Sequence, residues 1–188
     1  MSRPDDPRSQ SSIELVTGLG NPGQRYAASR HNMGFRVVDE LARRHADADW
    51  VRRALSDVTT APLGPRLVLA KPLTYMNRTG SAVDRLLDLL DIEPTQMLVV
   101  VDDIDLSLGS LRLRPSGGPG THNGLRDVCD RIGGSFPRLR VGVRGDCPIG
   151  DLSDYVLSPF TEAEQEHLPE IVARAADAVE MTLLEGLD

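Results

Sequence analysis

His31, Asp102 and three asparagines, Asn21, Asn77 and Asn123, are the side chains of this sequence best suited to carry out chemistry. A histidine whose second ring nitrogen meets a carboxylate is a general base poised for neutral pH. Side-chain amides beside it can bind a carbonyl and the oxyanion formed when that carbonyl is attacked. These residues fall in four places: Asn21 and His31 after the apolar run "IELVTGL", Tyr75 and Asn77 after "RLVLAKP", Asp102 after "MLVVV", and Asn123 in the glycine-rich loop "PSGGPGTHNG". In α/β folds sites form at strand ends and in the loops that follow them, so all four places can share one rim. Taken singly, each has a plainer reading. Asn21 before Pro22 and Gly23 is turn chemistry, Asn77 can cap the helix that follows, and Asn123-Gly124 suits a turn or a helix start. Of the other histidines, His45 and His167 lie in charged helical stretches and read as exposed, while His122 adjoins a loop and is open to either reading.

Context weighs against other chemistries. Gly18, Gly20 and Gly23 match the G-x-G-x-x-G of dinucleotide-binding folds, which requires a helix directly after the glycines and a strand ending in an acid. Here the glycines are followed by the aperiodic "QRYAASRHNMG", and the acid at the right distance, Glu40, lies on a helical pattern. Asp102, Asp103 and Asp105 follow a buried strand, but no histidine or carboxylate accompanies them at ligand spacing, so no metal is expected. Cys129 and Cys147 form neither a zinc nor a disulfide pattern. No G-x-S-x-G proposes a serine nucleophile.

Positioning such residues requires strands and helices in alternation. The runs "IELVTGL", "RLVLA", "MLVVVDDI", "SLRLRP" and "RLRVGV" read as strands, several continuous enough for burial on both faces. Helical spacing of apolar residues marks "GFRVVDELARRHA", "TGSAVDRLLDLLDI", "HNGLRDVCDRIGG" and a last acidic helix from Thr161 to Leu184. The expectation is a single α/β domain over residues 13–188, a mixed twisted β-sheet flanked by helices on both faces, behind a disordered polar leader at residues 1–12. No apolar run approaches membrane-spanning length and the leader lacks the apolar centre of a signal peptide; with no disulfide pattern at Cys129 and Cys147, a reducing cytosol is the simplest home. The net charge of -7 argues mildly against nucleic acid, yet residues 112–144 carry seven arginines against two acids, and arginine suits bidentate phosphate contacts.

Together, "GLGNPGQRYAASRHNMGF", "KPLTYMNRTGSAV", "VVVDDIDLSLGSLRLRPSGG", "THNGLRDV", "RLRVGV" and "DYVLSPF" resemble bacterial peptidyl-tRNA hydrolases, in order and over nearly the whole chain. The resemblance implies cleavage of the ester between a peptide and the 3′ ribose of tRNA, which recycles tRNA, with no cofactor, no metal and no obligate protein partner, by a cytoplasmic monomer. It implies His31 as the catalytic histidine, Asp102 as the aspartate that orients it, and Asn21 as the asparagine tied to preference for blocked aminoacyl groups. Tyr26, Tyr75, Met76, Asn77 and Asn123 match substrate-lining positions, and Arg114 and Arg140 match basic residues that clamp a tRNA phosphate. By this resemblance the Gly18–Gly23 loop forms a wall of the substrate site. The sequence departs from the family pattern at Val101, at Ser116, Pro119 and Thr121, and in "GVRGDCP". A non-catalytic RNA-binding or splicing relative is the alternative, against which the retention of His31, Asp102 and all three asparagines weighs.

Overall fold

The computed structural model describes residues 13–63, 67–146 and 148–187; the leader at residues 1–12 and Cys147 lie outside them. In chain order the elements are β1 (Leu15–Gly18), α1 (Met33–His45), β2 (Val51–Arg53), β3 (Ser56–Thr60), β4 (Val68–Pro72), α2 (Thr79–Leu90), β5 (Met97–Ser107), β6 (Leu111–Arg114), α3 (Asn123–Ile132), β7 (Arg138–Arg144), α4 (Leu152–Leu157) and α5 (Glu162–Glu185). One seven-stranded sheet runs in the order β2-β3-β4-β1-β5-β7-β6. β4, β1, β5 and β7 are mutually parallel, while β2, β3 and β6 pair antiparallel at the two edges. This is the mixed α/β sheet expected.

The central strands are apolar on both faces because both faces are covered. Val16, Leu98 and Val100 pack with Val37 and Leu41 of α1 and Ile171 and Val179 of α5. Leu15, Met97, Val99 and Val101 pack on the other side with Val83 and Leu86 of α2 and Leu125 and Val128 of α3. That alternation is what a period of two produces in a doubly covered strand. Two of the glycines have a packing role here: a Cβ on Gly18 would lie 2.1 Å from the Gly34 carbonyl oxygen, and one on Gly34 would lie 2.4 Å from that of Val100. Glycine at both positions lets the start of α1 sit directly on β1 and β5. No dinucleotide turn is formed, and Glu40 lies within α1.

Three features depart from the sequence expectation. The β2–β3 hairpin was not anticipated; its first strand is fully exposed, and its turn uses Ala54 and Leu55 at positive φ (46° and 60°), without the Asn-Gly or Asp-Gly signal such turns favour. α4 is six residues long, too short to display a helical period. β5 continues through Asp102, Asp103 and Asp105, so these aspartates lie within a strand and not after one. Among the described residues no helix is long and apolar enough to cross a membrane.

Candidate active site

Because β1, β4 and β5 are parallel, their carboxyl ends share one edge of the sheet, and the segments that follow them meet there. After β1, residues Arg30–Asn32 form a single 3₁₀ turn whose three side chains are all buried. The middle one, His31, brings Nδ1 to 2.9 and 3.0 Å from the two carboxylate oxygens of Asp102. Asn32 turns the other way: its Oδ1 accepts the Asn21 N–H at 2.8 Å, and its Nδ2 donates to the Asn21 carbonyl at 3.0 Å. The Asn21 Oδ1 in turn accepts the Met76 N–H at 2.8 Å. A backbone N–H can only donate, so the Asn21 amide is fixed in orientation, leaving its Nδ2 as the group available to a ligand.

His122, left open by the sequence, completes the centre. It is buried, and its Nε2 lies 3.1 Å from Asp102 Oδ1. Its Nδ1 accepts the Leu125 N–H at 3.0 Å, which caps α3. That bond requires a lone pair on Nδ1, so Nε2 carries the proton and donates to Asp102. The signal that could have marked it is the repeated His-Asn dipeptide in "RHNMG" and "THNG". His31, Asp102 and His122 also bring ligand-type atoms within 4.8 Å of one another, supplying the partners for Asp102 that sequence spacing did not reveal. The trio does not fit a metal ion, since the His122 nitrogen facing the carboxylate is the protonated one.

Electrostatics follow from this arrangement. Burial opposes protonation of His31, but the charge of Asp102 and its hydrogen bond outweigh it, and the His31 pKa is raised above the ordinary imidazole value. Burial alone would raise the Asp102 pKa. His31 and His122 instead hold it well below the usual carboxylate range. Asp102 is therefore a fixed negative charge, and His31 makes no hydrogen bond through Nε2 to any described residue.

Two cavities meet at His31. One, of about 520 Å³, is lined by Asn21, Tyr26, Tyr75, Met76, Asn77 and Leu157. The other, of about 390 Å³, is lined by Asp102, Asp103, Thr121, His122, Arg126 and Arg140. His31, Asn123, and Ser153 and Val156 of α4 line both. Tyr26 and Tyr75 stand edge to face in the first, with centroids 6.4 Å apart. Asn77 lies in a 3₁₀ turn and does not cap α2.

The arginine-rich segment divides. Arg138 is buried, donating to the carbonyls of Gly118, Gly134 and Phe136. Arg140 pairs with Asp103 at 3.1 Å inside the second cavity. Arg114 is exposed on β6 and lines neither cavity. His167 is exposed as expected, but His45 is half-buried against Glu180 at 2.9 Å.

A family model described as peptidyl-tRNA hydrolase matches residues 15–188. Peptidyl-tRNA hydrolases of Chloroflexus aggregans and Leifsonia xyli are each 48% identical to this chain, covering 92% of it and 94% and 92% of their own lengths. The crystal structure of peptidyl-tRNA hydrolase from Acinetobacter baumannii superposes with a TM-score of 0.85 at 34% identity, covering 94% of this chain and 91% of that one.

Proposed function

The chain belongs to the peptidyl-tRNA hydrolase family, and we propose that it hydrolyses the ester joining peptide to the 3′ ribose of tRNA through a water activated by His31. The observation that carries the mechanism is the His31–Asp102 pair: Nδ1 is held at 2.9 Å by a buried carboxylate, and Nε2 has no hydrogen-bond partner among the described residues where two cavities join.

In this reading His31 Nε2 takes a proton from water as the oxygen attacks the ester carbonyl. Asp102 stabilises the imidazolium and keeps the proton-bearing Nδ1 turned away from substrate. The negative charge on the carbonyl oxygen is met by amide donors, of which Asn21 Nδ2, Asn77 and Asn123 are the candidates. His31 then returns the proton to the departing ribose oxygen, releasing peptide acid and tRNA.

The aromatic cavity with Tyr26, Tyr75 and Met76 suits the peptide, whose backbone amides and variable side chains need apolar surface with few fixed polar groups. The cavity with Arg126 and Arg140 suits the polyanion, with Arg114 further out along the edge strand. The reading includes a cytoplasmic monomer, its oligomeric state checked by the elution volume of the purified protein. Incubation with peptidyl-tRNA tests the reaction: free peptide and deacylated tRNA should appear with wild type and be lost with His31→Gln. Intact substrate in both samples would refute it.

A further inference from the structure

α4 forms part of the wall of both cavities, yet its own sequence does little to hold it there. It has six residues, too few to be helical alone, and Tyr155 is its only buried one; Leu152 and Leu157 are exposed. Ser153 and Val156 nevertheless line both cavities. The position of this wall must come from what Tyr155 and the following turn touch.

Both lead to Arg30, the residue before the catalytic histidine. The Arg30 guanidinium carbon lies 4.4 Å from the Tyr155 ring centroid and 4.7 Å from that of Phe160. Its Nη1 donates to Glu164 Oε1 at 3.1 Å and to the Val143 carbonyl at 3.2 Å, and its Nη2 donates to Glu164 Oε2 at 2.6 Å. Its backbone N–H donates to the Ser158 carbonyl at 3.0 Å, beside a bridge between Ser29 and Pro159. The Tyr155 hydroxyl accepts the Gly145 N–H at 2.9 Å. Gly145 is also the residue that lets Glu164 approach, since a Cβ there would fall 1.8 Å from Glu164 Oε1. A forked, delocalised cation stacked on two rings fixes direction as well as distance, which lysine could not do.

We propose that Arg30 is a positioning residue for the hydrolysis: its pairing with Glu164 and its stacking on Tyr155 and Phe160 hold α4 across the cleft in register with His31. The inference rests on the reaction proposed above. One residue of the turn is thus the base, and its neighbour sets the wall that keeps substrate against it.

The test uses two variants of the full chain, Arg30→Lys and Arg30→Met combined with Glu164→Gln. The double variant removes both buried charges together, so neither is left uncompensated, and the amide oxygen introduced by Glu164→Gln can still accept the Thr161 N–H that starts α5. Expected for both is a rise of about tenfold in KM for peptidyl-tRNA, with kcat within about threefold of wild type and an unmoved acid limb of the pH profile. Arg30→Lys should recover none of this, because charge without the planar fork does not orient Tyr155. Kinetic constants equal to wild type in a folded, less stable variant would overturn the inference and leave Arg30 as a stability element. A collapsed kcat or a displaced acid limb would overturn it too, since Arg30 would then act on His31 directly. Wild type assayed alongside separates the two levels. If it releases no peptide, the proposed reaction fails and this inference with it; if it does and the variants match it, only the inference fails.

Discussion

Two corners of the molecule carry the same dipeptide, His31-Asn32 and His122-Asn123, and both histidines reach the carboxylate of Asp102, with ring centroids 4.7 Å apart. Their second nitrogens differ. That of His122 is occupied by the Leu125 N–H, whereas that of His31 has no partner among the described residues. The asparagines are reversed in the same sense: Asn32 is buried and clamps the Asn21 loop, while Asn123 is exposed to both cavities. On the proposed reaction, identical residue types become base or scaffold according to whether a backbone N–H meets the remaining lone pair.

The largest effect expected tests that difference directly. His31→Gln should lower kcat by about a hundredfold or more, the scale for losing a positioned base, with the fold retained by circular dichroism. Asp102→Asn should cost a similar factor, because an amide cannot stabilise the imidazolium. In wild type the raised His31 pKa fixes the sign of the pH dependence: the base is the neutral ring, so kcat/KM should fall on acidification with a midpoint above about 6.5. A rate independent of pH across the mildly acidic to neutral range would remove His31 from the role of base.

Preference for blocked aminoacyl groups should be the next most sensitive property. With Oδ1 committed to Met76, Asn21 offers only a donor to substrate. A blocked aminoacyl group presents a carbonyl to that donor; a free one presents an ammonium, which cannot accept a hydrogen bond and is costly to desolvate unpaired. Asn21→Asp would keep the bond to Met76 and offer an anionic acceptor instead. The ratio of kcat/KM for acetylated over free aminoacyl-tRNA should then drop by about tenfold or more. An unchanged ratio would place the discrimination elsewhere.

A smaller loss is expected at the scaffold corner. His122→Phe keeps a ring but removes one donor from Asp102 and the cap from α3. Stability should fall by about 1 kcal/mol through the lost cap. Turnover should fall by less than about tenfold, while the acid limb moves to higher pH, because a carboxylate with one donor fewer holds the His31 proton more tightly. A loss as large as that of His31→Gln would abolish the distinction between the corners.

The legibility of these parts from sequence follows how local their causes are. β1, β4, β5, β6 and β7 declare themselves by their apolar runs and the four long helices by their period, and the convergence of Asn21, His31, Asn77, Asp102 and Asn123 follows from parallel strands sharing an edge. What stays hidden depends on contacts far along the chain. β2 is exposed on every residue, α4 depends on Arg30 near the opposite end of the chain, and His122 takes its role from Asp102 and Leu125. The arginine count misleads for the same reason. Arg138 belongs to the segment that composition marks as basic, yet its charge is spent on loop carbonyls.

That division of the arginines gives the smallest effect, one that separates the cavity proposed for RNA from the one proposed for peptide. Arg114 is exposed and has no ion pair among the described residues, so Arg114→Ala should lower the slope of log K against log salt for tRNA binding by roughly one, the value for one lost phosphate contact, and leave kcat unchanged. Arg140 is different, because Asp103 already holds it and is itself buried. A phosphate must share that guanidinium with a carboxylate, and Arg140→Ala also leaves Asp103 as an uncompensated charge near the RNA path. Its affinity loss should therefore exceed that of Arg114→Ala, while Asp103→Asn/Arg140→Ala should recover the excess and retain only the slope change. Equilibrium binding of deacylated tRNA across a salt series measures all three without turnover. If both single variants bind as wild type does at every salt concentration, the polyanion does not follow this edge of the sheet, and Arg126, exposed on α3 at the rim of the same cavity, becomes the residue to test.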